Sequence, residues 1–297
     1  MSHIDLKGVF PPITTPFING KVAYDKLEAN VERWSRTGIK GFVVLGSNGE
    51  FVYLSEEEKR RVLETVARTA PPGMLIIAGT GCESTEETLR LTRDCAERGA
   101  GAALVITPHF FAGKMSEEAL KRHYRTLADH SPIPVILYNV PKFTHLHLSA
   151  SIVSSLAEHP NITGIKDSAG NVSQLGEFLN HVPEDFSVLV GTAGVLFGGL
   201  TLGCAGGILA LANVAPVQCV KIFDLVREGH FEEAGRLQLK MIPVNKAVAA
   251  TYGIGGLKAA MDMLGYFGGD PRPPLLPSTE MEKSEIREIL SRAGLLQ

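Results

Sequence analysis

The sequence of 297 residues has little of what marks several classes of protein. Its 29 lysines and arginines are set against 32 aspartates and glutamates, a formal net charge of −3. It therefore lacks the basic surplus expected of a nucleic-acid-binding protein, and it has no polybasic cluster suited to a membrane surface. Hydrophobic residues make up 44% and charged residues 21%, which excludes an intrinsically disordered chain. We expect neither a nucleic-acid nor a membrane partner.

Cysteine is scarce, and no two cysteines form a C-x-x-C pair. The four are Cys82, Cys95, Cys204 and Cys219. This scatter argues against a disulfide framework or a zinc ribbon and favours a reducing compartment. The N-terminal residues show neither a signal-peptide nor a transit-peptide pattern, so we predict a cytoplasmic protein.

One segment lacks charge altogether, since residues 186–220 contain no Asp, Glu, Lys or Arg. That length could span a bilayer. Seven glycines interrupt the run, however, and small residues at this density also suit a helix packed tightly between two buried strands. We favour the buried-helix interpretation over a membrane span.

Apolar, β-rich runs recur at a regular interval over the first 225 residues, and polar, helix-like stretches separate them. The predicted strands are Gly8–Ile13, Gly41–Leu45, Met74–Ala78, Ala102–Ile106, Pro134–Tyr138, Thr163–Lys166, Ser187–Val190 and Gly207–Leu211. The predicted helices between them are Tyr24–Thr37, Ser55–Thr69, Ser84–Arg98, Ser116–Asp129, Ser149–Glu158, Val172–Asn180 and Ala193–Leu202. Ser55 with Glu58, and Ser84 with Glu87, have the spacing of capping boxes.

Eight continuously apolar strands that alternate with helices predict a parallel sheet covered on its outside, and eight strands close a (β/α)8 TIM barrel. A doubly wound open sheet is the alternative. Its G-x-G-x-x-G fingerprint is missing after the first strand, where residues 11–17 read PPITTPF. We predict a catalytic barrel over 1–225 and a C-terminal helical extension over 226–297. The extension should hold three helices, near 226–246, 254–264 and 279–294.

Lys166 is an unusual residue at the inner end of the sixth predicted strand, where a barrel places its working side chains. Burial there disfavours the charged form of an amine, and a neutral amine attacks carbonyl carbons to form a Schiff base. The alternative is a structural ion pair with Asp167. Adjacent residues of a strand point to opposite faces, so we favour the catalytic role.

Tyr138 ends the neighbouring fifth strand, where its phenol could transfer protons during imine formation. Alternatively, it is a core aromatic whose hydroxyl binds a backbone acceptor. The segment Ser47-Asn48-Gly49-Glu50 offers donors for a carboxylate, although it also reads as an ordinary loop and helix entry.

A metal centre is a further alternative, because aldol cleavage also runs on zinc. His145 and His147 are a close pair, but no carboxylate joins them at ligand spacing. The glycines from Gly191 onward have no nearby Lys or Arg and fit no phosphate-loop pattern. We predict no metal and no bound cofactor.

Four motifs together resemble those of a known family. They are GSNGE at 46–50, YNVP at 138–141, GIKDS at 164–168 and GGILALANV at 206–214. The chain is similar along its whole length to the pyruvate-dependent class I lyases that include dihydrodipicolinate synthase and N-acetylneuraminate lyase. The resemblance implies a barrel with a C-terminal three-helix extension and a homo-oligomer, usually a tetramer, with a dimer as the smaller form.

The resemblance also implies roles for individual residues. Lys166 would form a covalent imine with the 2-oxo acid, and Tyr138 would give and accept protons. The residues predicted to bind substrate are Ser47, Asn48, Ser168, Gly191 and Ile208. The implied substrates are a small 2-oxo acid, pyruvate, and an aldehyde.

Three departures from the family's pattern bear on the reaction. Ser47-Asn48 stands where the synthases have two threonines, and Phe143 stands where they have an arginine that binds the aldehyde's carboxylate. Phe110 replaces a tyrosine that completes a proton relay across a subunit interface. We therefore predict cleavage of 4-hydroxy-2-oxoglutarate or a 2-keto-3-deoxy sugar acid to pyruvate and an aldehyde. Condensation of pyruvate with aspartate semialdehyde, and a non-catalytic 2-oxo-acid-binding barrel, are the alternatives.

Overall fold

Eight parallel strands form the centre of the structure, a computed structural model that describes residues 4–296. In chain order they are β1 Gly8–Phe10, β2 Gly41–Val44, β3 Leu75–Gly79, β4 Ala102–Ile106, β5 Val135–Asn139, β6 Ile162–Asp167, β7 Ser187–Val190 and β8 Gly206–Ile208. From β2 to β7, each strand pairs with the strand that follows it in the chain, and β8 pairs with β1. A parallel bridge between Pro12 and Val43 joins β1 to β2 and closes the ring. The TIM barrel predicted from the sequence is confirmed.

Helices cover the outside of the barrel, which explains why its strands are apolar on both faces. They are α1 Tyr24–Trp34, α2 Glu56–Thr69, α3 Thr85–Glu97, α4 Glu117–His130, α5 Ala150–Ala157, α6 Val172–His181, α7 Leu196–Leu202 and α8 Pro216–Arg227. Ser55 and Glu58 form the predicted capping box of α2. Ser84 caps α3 without the reciprocal bond, because the Glu87 carboxylate binds Arg90 instead.

The hydrophobic core has two parts. One fills the space between strands and helices, and the other fills the barrel interior with side chains that include Phe10, Ile136 and Leu189. Close approach between neighbouring strands depends on glycine at several positions, of which Gly206 is an example. A Cβ at Gly206 would lie 2.0 Å from the carbonyl oxygen of Gly8 on the neighbouring strand.

The C-terminal extension consists of α9 Phe231–Lys246, α10 Gly253–Met263 and α11 Glu280–Arg292, the three helices expected. The first begins five residues later than predicted, because α8 was not predicted, and the other two begin within one residue of the predicted positions. Gly229, at φ 82°, separates α8 from α9. The proposed domain boundary after residue 225 therefore falls within α8. The first three residues of the proposed barrel and the last residue of the proposed extension lie outside the described residues.

The charge-free run at 186–220 contains β7, α7, β8 and the beginning of α8. Within residues 4–296, no helix is both long enough and apolar enough to cross a membrane. The glycines of the run instead allow α7 to pack closely on the sheet. A Cβ at Gly199 would lie 2.5 Å from a methyl group of Val190 in β7.

Candidate active site

Lys166 and Tyr138 lie side by side at the C-terminal ends of β6 and β5, where the strand register pairs them directly. The Lys166 Nζ lies 4.0 Å from the centroid of the Tyr138 ring. The two residues are 5% and 6% exposed. No carboxylate within residues 4–296 forms an ion pair with Lys166. The amine is thus nearly buried and lies against an aromatic face, without an ion-pair partner among the described residues, an environment suited to a nucleophile.

Asp167 follows Lys166 in β6 but turns to the opposite face of the sheet, as strand alternation requires. Its Oδ1 accepts hydrogen bonds from Asn139 Nδ2 at 2.6 Å and from Gln174 Nε2 at 3.2 Å. Burial raises the pKa of Asp167, and the Asn139 hydrogen bond opposes the rise. The carboxyl group therefore does not neutralise Lys166; it links β6 to β5 one residue beyond the Lys166–Tyr138 pair.

The hydroxyl of Tyr138 has no hydrogen bond to the protein among the described residues, in contrast to a tyrosine of the core. Tyr124 is fully buried, and its hydroxyl donates to the Val105 carbonyl at 3.1 Å. Tyr138 instead lines a small cavity at the C-terminal mouth of the barrel together with Ser47 and Phe51. Its hydroxyl is thus available for proton transfer.

Ser47 and Asn48 lie in a 3-10 turn, Ser47–Gly49, that follows β2. The Gly49 carbonyl accepts a hydrogen bond from Thr15 Oγ1 at 2.7 Å, which anchors the turn to the loop after β1. The Asn48 Nδ2 is buried and has no partner among the described residues. A buried amide donor without an acceptor is rare, and a substrate carboxylate would satisfy it.

Ser168 and Gly191 meet beyond the end of β6. The Gly191 N–H donates to the Asp167 carbonyl at 2.7 Å, and a Cβ at this position would lie 2.1 Å from Ser168 Oγ. Only glycine fits here. Ile208 is fully buried in the barrel interior on β8, two strands away from β6.

The loop after β4 holds Phe110, which stands where the family's pattern has the relay tyrosine, and His109 beside it. The backbone N–H groups of His109 and Phe110 each donate to Glu83 Oε2 at 2.9 Å. The His109 Nδ1 lies 3.1 Å from Glu83 Oε1. Phe110 is 76% exposed and packs edge-on against Phe111. This chain therefore has no hydroxyl at the relay position, and the neighbouring imidazole is engaged with Glu83.

The other sequence candidates lie on a different loop. Phe143 is half exposed on the short helix Pro141–Thr144 after β5. His145 and His147 follow it and are both exposed. Across residues 4–296, no three His, Cys, Asp or Glu side chains converge as a metal site.

A buried ion pair beneath the Ser47–Gly49 turn was not predicted. The Lys258 Nζ lies 2.6 Å from Glu50 Oε1, and the two side chains are 0% and 1% exposed. Burial lowers the pKa of Lys258, and the nearby Glu50 charge opposes the fall. The sequence pattern singles out Glu50 only as part of the loop after β2. It gives no sign of a contact with Lys258, which lies in the apolar helix α10.

A (β/α)8 barrel with a buried lysine and a tyrosine side by side at its strand ends has the groups that a class I aldolase, a carbon–carbon lyase, uses to form a Schiff base. Comparison with known proteins agrees. The model of the Dihydrodipicolinate synthetase family matches residues 5–293. The chain belongs to this family, as the sequence motifs indicated.

Individual relatives cover almost the whole chain. The 4-hydroxy-tetrahydrodipicolinate synthase of Methanothrix thermoacetophila is 36% identical over 288 residues, which is 96% of each chain. The chloride-inhibited dihydrodipicolinate synthase of Acinetobacter baumannii, solved with pyruvate, has a TM-score of 0.94 at 32% identity, covering 98% of this chain and 100% of that one. A prophage protein of the same family from E. coli K12, also solved with pyruvate, has a TM-score of 0.93 at 28% identity, covering 98% and 99%.

Proposed function

We propose that this chain forms or breaks a carbon–carbon bond between pyruvate and an aldehyde through an imine on Lys166. The observation that carries the proposal is the position of Lys166 Nζ, buried, without a carboxylate partner among the described residues, and 4.0 Å from the Tyr138 ring. Two relatives of the same fold are described as complexes with pyruvate, which supports pyruvate as the 2-oxo acid.

The reaction follows from the groups at the mouth of the barrel. Lys166 attacks the 2-oxo carbon, and Tyr138 supplies the proton with which the oxygen leaves as water. The C4 hydroxyl of the substrate then returns a proton to the Tyr138 phenolate and becomes the aldehyde carbonyl, while the protonated imine accepts the electron pair of the breaking C3–C4 bond and becomes an enamine. Protonation and hydrolysis of the enamine release pyruvate and restore Lys166. In the condensing direction the enamine attacks the aldehyde.

The remaining residues of the site bind the substrate. Ser47 and Asn48 bind the carboxylate, Gly191 and Ile208 line the pyruvate site, and Ser168 contacts the distal part of the substrate. No metal or organic cofactor takes part.

Among the partner aldehydes, the comparisons favour aspartate semialdehyde. Relatives at 34–36% identity are named 4-hydroxy-tetrahydrodipicolinate synthase, which supports condensation better than cleavage of 4-hydroxy-2-oxoglutarate. One observation keeps the cleavage reaction as a second candidate. Phe143 occupies the position of the synthases' carboxylate-binding arginine and cannot form that charged hydrogen bond.

Borohydride reduction in the presence of pyruvate tests the imine directly. Intact and peptide mass spectrometry should find a reduced adduct on Lys166 of the wild-type chain. Lys166→Ala should lose both the adduct and turnover, because the nucleophile is gone. Tyr138→Phe should still form adduct but turn over at least a hundredfold more slowly, since proton transfer contributes about 10²–10⁴ in rate. Full activity in Lys166→Ala would disprove the proposal.

Two assays of the purified wild-type chain separate the candidate reactions. One measures loss of pyruvate in the presence of aspartate semialdehyde, and the other measures pyruvate release from 4-hydroxy-2-oxoglutarate and a 2-keto-3-deoxy sugar acid. Turnover in the first assay alone supports condensation, and turnover in the second alone supports cleavage. An adduct without turnover in either would identify a 2-oxo-acid-binding barrel.

A further inference from the structure

The Glu50–Lys258 ion pair connects the C-terminal extension to the turn that holds Ser47 and Asn48. Removing two charges from water costs free energy, which their attraction offsets only when other groups complete their hydrogen bonds. Lys258 Nζ also donates to the Asp270 carbonyl at 3.1 Å, and the Arg272 backbone N–H donates to Glu50 Oε2 at 2.7 Å. The pair is thus supported on both sides.

The aromatic ring of Phe17 contacts the side chains of both Lys258 and Arg272. The Lys258 Nζ and the guanidinium carbon of Arg272 each lie 4.4 Å from the centroid of the Phe17 ring. Arg272 in turn binds both carboxylate oxygens of Glu58 at 2.7 Å. Bidentate pairing of this kind fixes geometry as well as charge. These contacts hold Lys258 and Arg272 in one arrangement.

The backbone of Glu50 shows what the pair stabilises. Glu50 has φ 54°, a left-handed conformation that is unfavourable for a residue with a side chain. Its N–H donates to the Ser47 carbonyl at 3.1 Å and closes the turn. On the other side of the turn, Thr15 binds the Gly49 carbonyl. Such a conformation persists only when its surroundings hold it, and here those surroundings include Lys258 and the backbone of Arg272.

We propose that Glu50 and Lys258 are positioning residues, which hold Ser47 and Asn48 in the geometry that binds the carboxylate of pyruvate. The inference rests on the proposed function above. Imine formation itself uses Lys166 and Tyr138 on β6 and β5, whereas Glu50 follows the turn after β2. Loss of the pair therefore weakens pyruvate binding and leaves the maximal rate of imine formation nearly unchanged.

The test measures how fast the imine forms at increasing pyruvate concentration, by rapid quenching into borohydride and intact mass spectrometry. Lys258→Met and Glu50→Gln each remove one charge at similar volume. We expect the half-saturating pyruvate concentration to rise at least tenfold in each. The limiting rate should stay within threefold of the wild-type value.

Two further variants separate positioning from general loss of stability. Leu290→Ala removes a buried side chain from α11 of the same extension and leaves the ion pair in place. It should lower the melting temperature without changing half-saturation. The double variant Glu50→Gln with Lys258→Met leaves no unpaired buried charge, so it should recover stability relative to the single variants while half-saturation stays raised.

The outcomes distinguish this inference from the proposal on which it rests. A wild-type chain that captures no pyruvate would overturn the imine chemistry, and the positioning role with it. Capture by the wild-type chain, together with wild-type half-saturation in the double variant, would overturn the positioning role alone. The double variant provides this result even where a single variant fails to fold.

Discussion

Strand alternation separates an amine and a carboxyl group that are neighbours in the sequence. Lys166 faces the barrel interior beside Tyr138, and Asp167 faces outward to Asn139 and Gln174. The outward carboxyl group therefore forms no ion pair with Lys166. It instead links β6 to β5 through Asn139, one residue beyond the Lys166–Tyr138 pair.

At the same scale, we predict that Phe143→Arg improves use of an aldehyde that bears a carboxylate. Phe143 is half exposed, so an arginine fits, and a hydrogen bond between charged groups contributes about 1.5–3 kcal/mol. We expect kcat/KM for aspartate semialdehyde to rise roughly tenfold or more, since each 1.4 kcal/mol is a factor of ten. Steady-state assays at fixed pyruvate would measure it.

Phe111→Arg makes the same substitution at an exposed aromatic on the loop after β4 and serves as the control. It should leave kcat/KM unchanged. An equal improvement in both variants would mean that general positive charge, rather than the position of residue 143, attracts the aldehyde.

Lys166 and Tyr138 could be found from the sequence, because a barrel places strand ends at one mouth and neighbouring strands side by side. Glu50 and Lys258 could not be paired in this way. They belong to a loop and to an apolar helix whose contact depends on how the extension packs, and no sequence period relates them. The sequence therefore predicted that Lys166 and Tyr138 are neighbours, which the strand register confirms, but it did not predict the Glu50–Lys258 ion pair.

Among the helices, α2 begins at a complete capping box. The Ser55 side chain accepts from the Glu58 N–H at 3.2 Å, and the Glu58 carboxylate accepts from the Ser55 N–H at 2.9 Å. We expect Ser55→Ala to lower the free energy of unfolding by about 1 kcal/mol, because an N–H of the first turn loses its acceptor. Urea denaturation would measure the change.

The same substitution inside a helix provides the comparison. Ser284 is exposed within α11, where alanine is a better helix former than serine, so Ser284→Ala should be neutral or slightly stabilising. Equal losses at both sites would show that the hydroxyl of Ser55 has no capping role.

All eight strands were predicted, but α8 was not, for a physical reason. The first five residues of α8 lie in the charge-free run, and the helix has no strongly polar face there, so helical periodicity is weak. Its buried residues are Pro216, Cys219, Ile222, Leu225 and Val226. Pro216 at the first turn was the available signal, because proline is favoured at that position. Helices are easy to recognise only where one face meets water.

At the scale of the whole molecule, we predict that lowering the pH reduces the free energy of unfolding, because the buried His123 resists protonation in the folded state. This imidazole of α4 is 6% exposed, and burial lowers the pKa of His123 to about 4. In the unfolded chain its pKa is about 6.5, so the unfolded state binds a proton more tightly. The contribution of His123 to the free energy of unfolding should be fully present above pH 6.5. It should fall by roughly 3 kcal/mol as the pH is lowered to 4.

Urea unfolding at pH 7.5 and at pH 5.0 would check this dependence. His123→Gln, which cannot titrate, should lose less stability between the two pH values than the wild-type chain. His130→Gln provides a control, because His130 is exposed on the same helix. Identical pH dependence in all three proteins would exclude His123 as the cause.

The contact between Glu50 and Lys258 has a consequence for the order in which the protein matures. Ribosomes release the N-terminus first, so β1, β2 and the Ser47–Gly49 turn emerge well before α10 and Arg272. Until those residues follow, Glu50 has neither its ammonium partner nor the N–H of Arg272. The contacts that support the Ser47–Gly49 turn are therefore synthesised after all eight strands of the barrel, and a nascent chain contains Lys166 before it contains the groups that hold this turn.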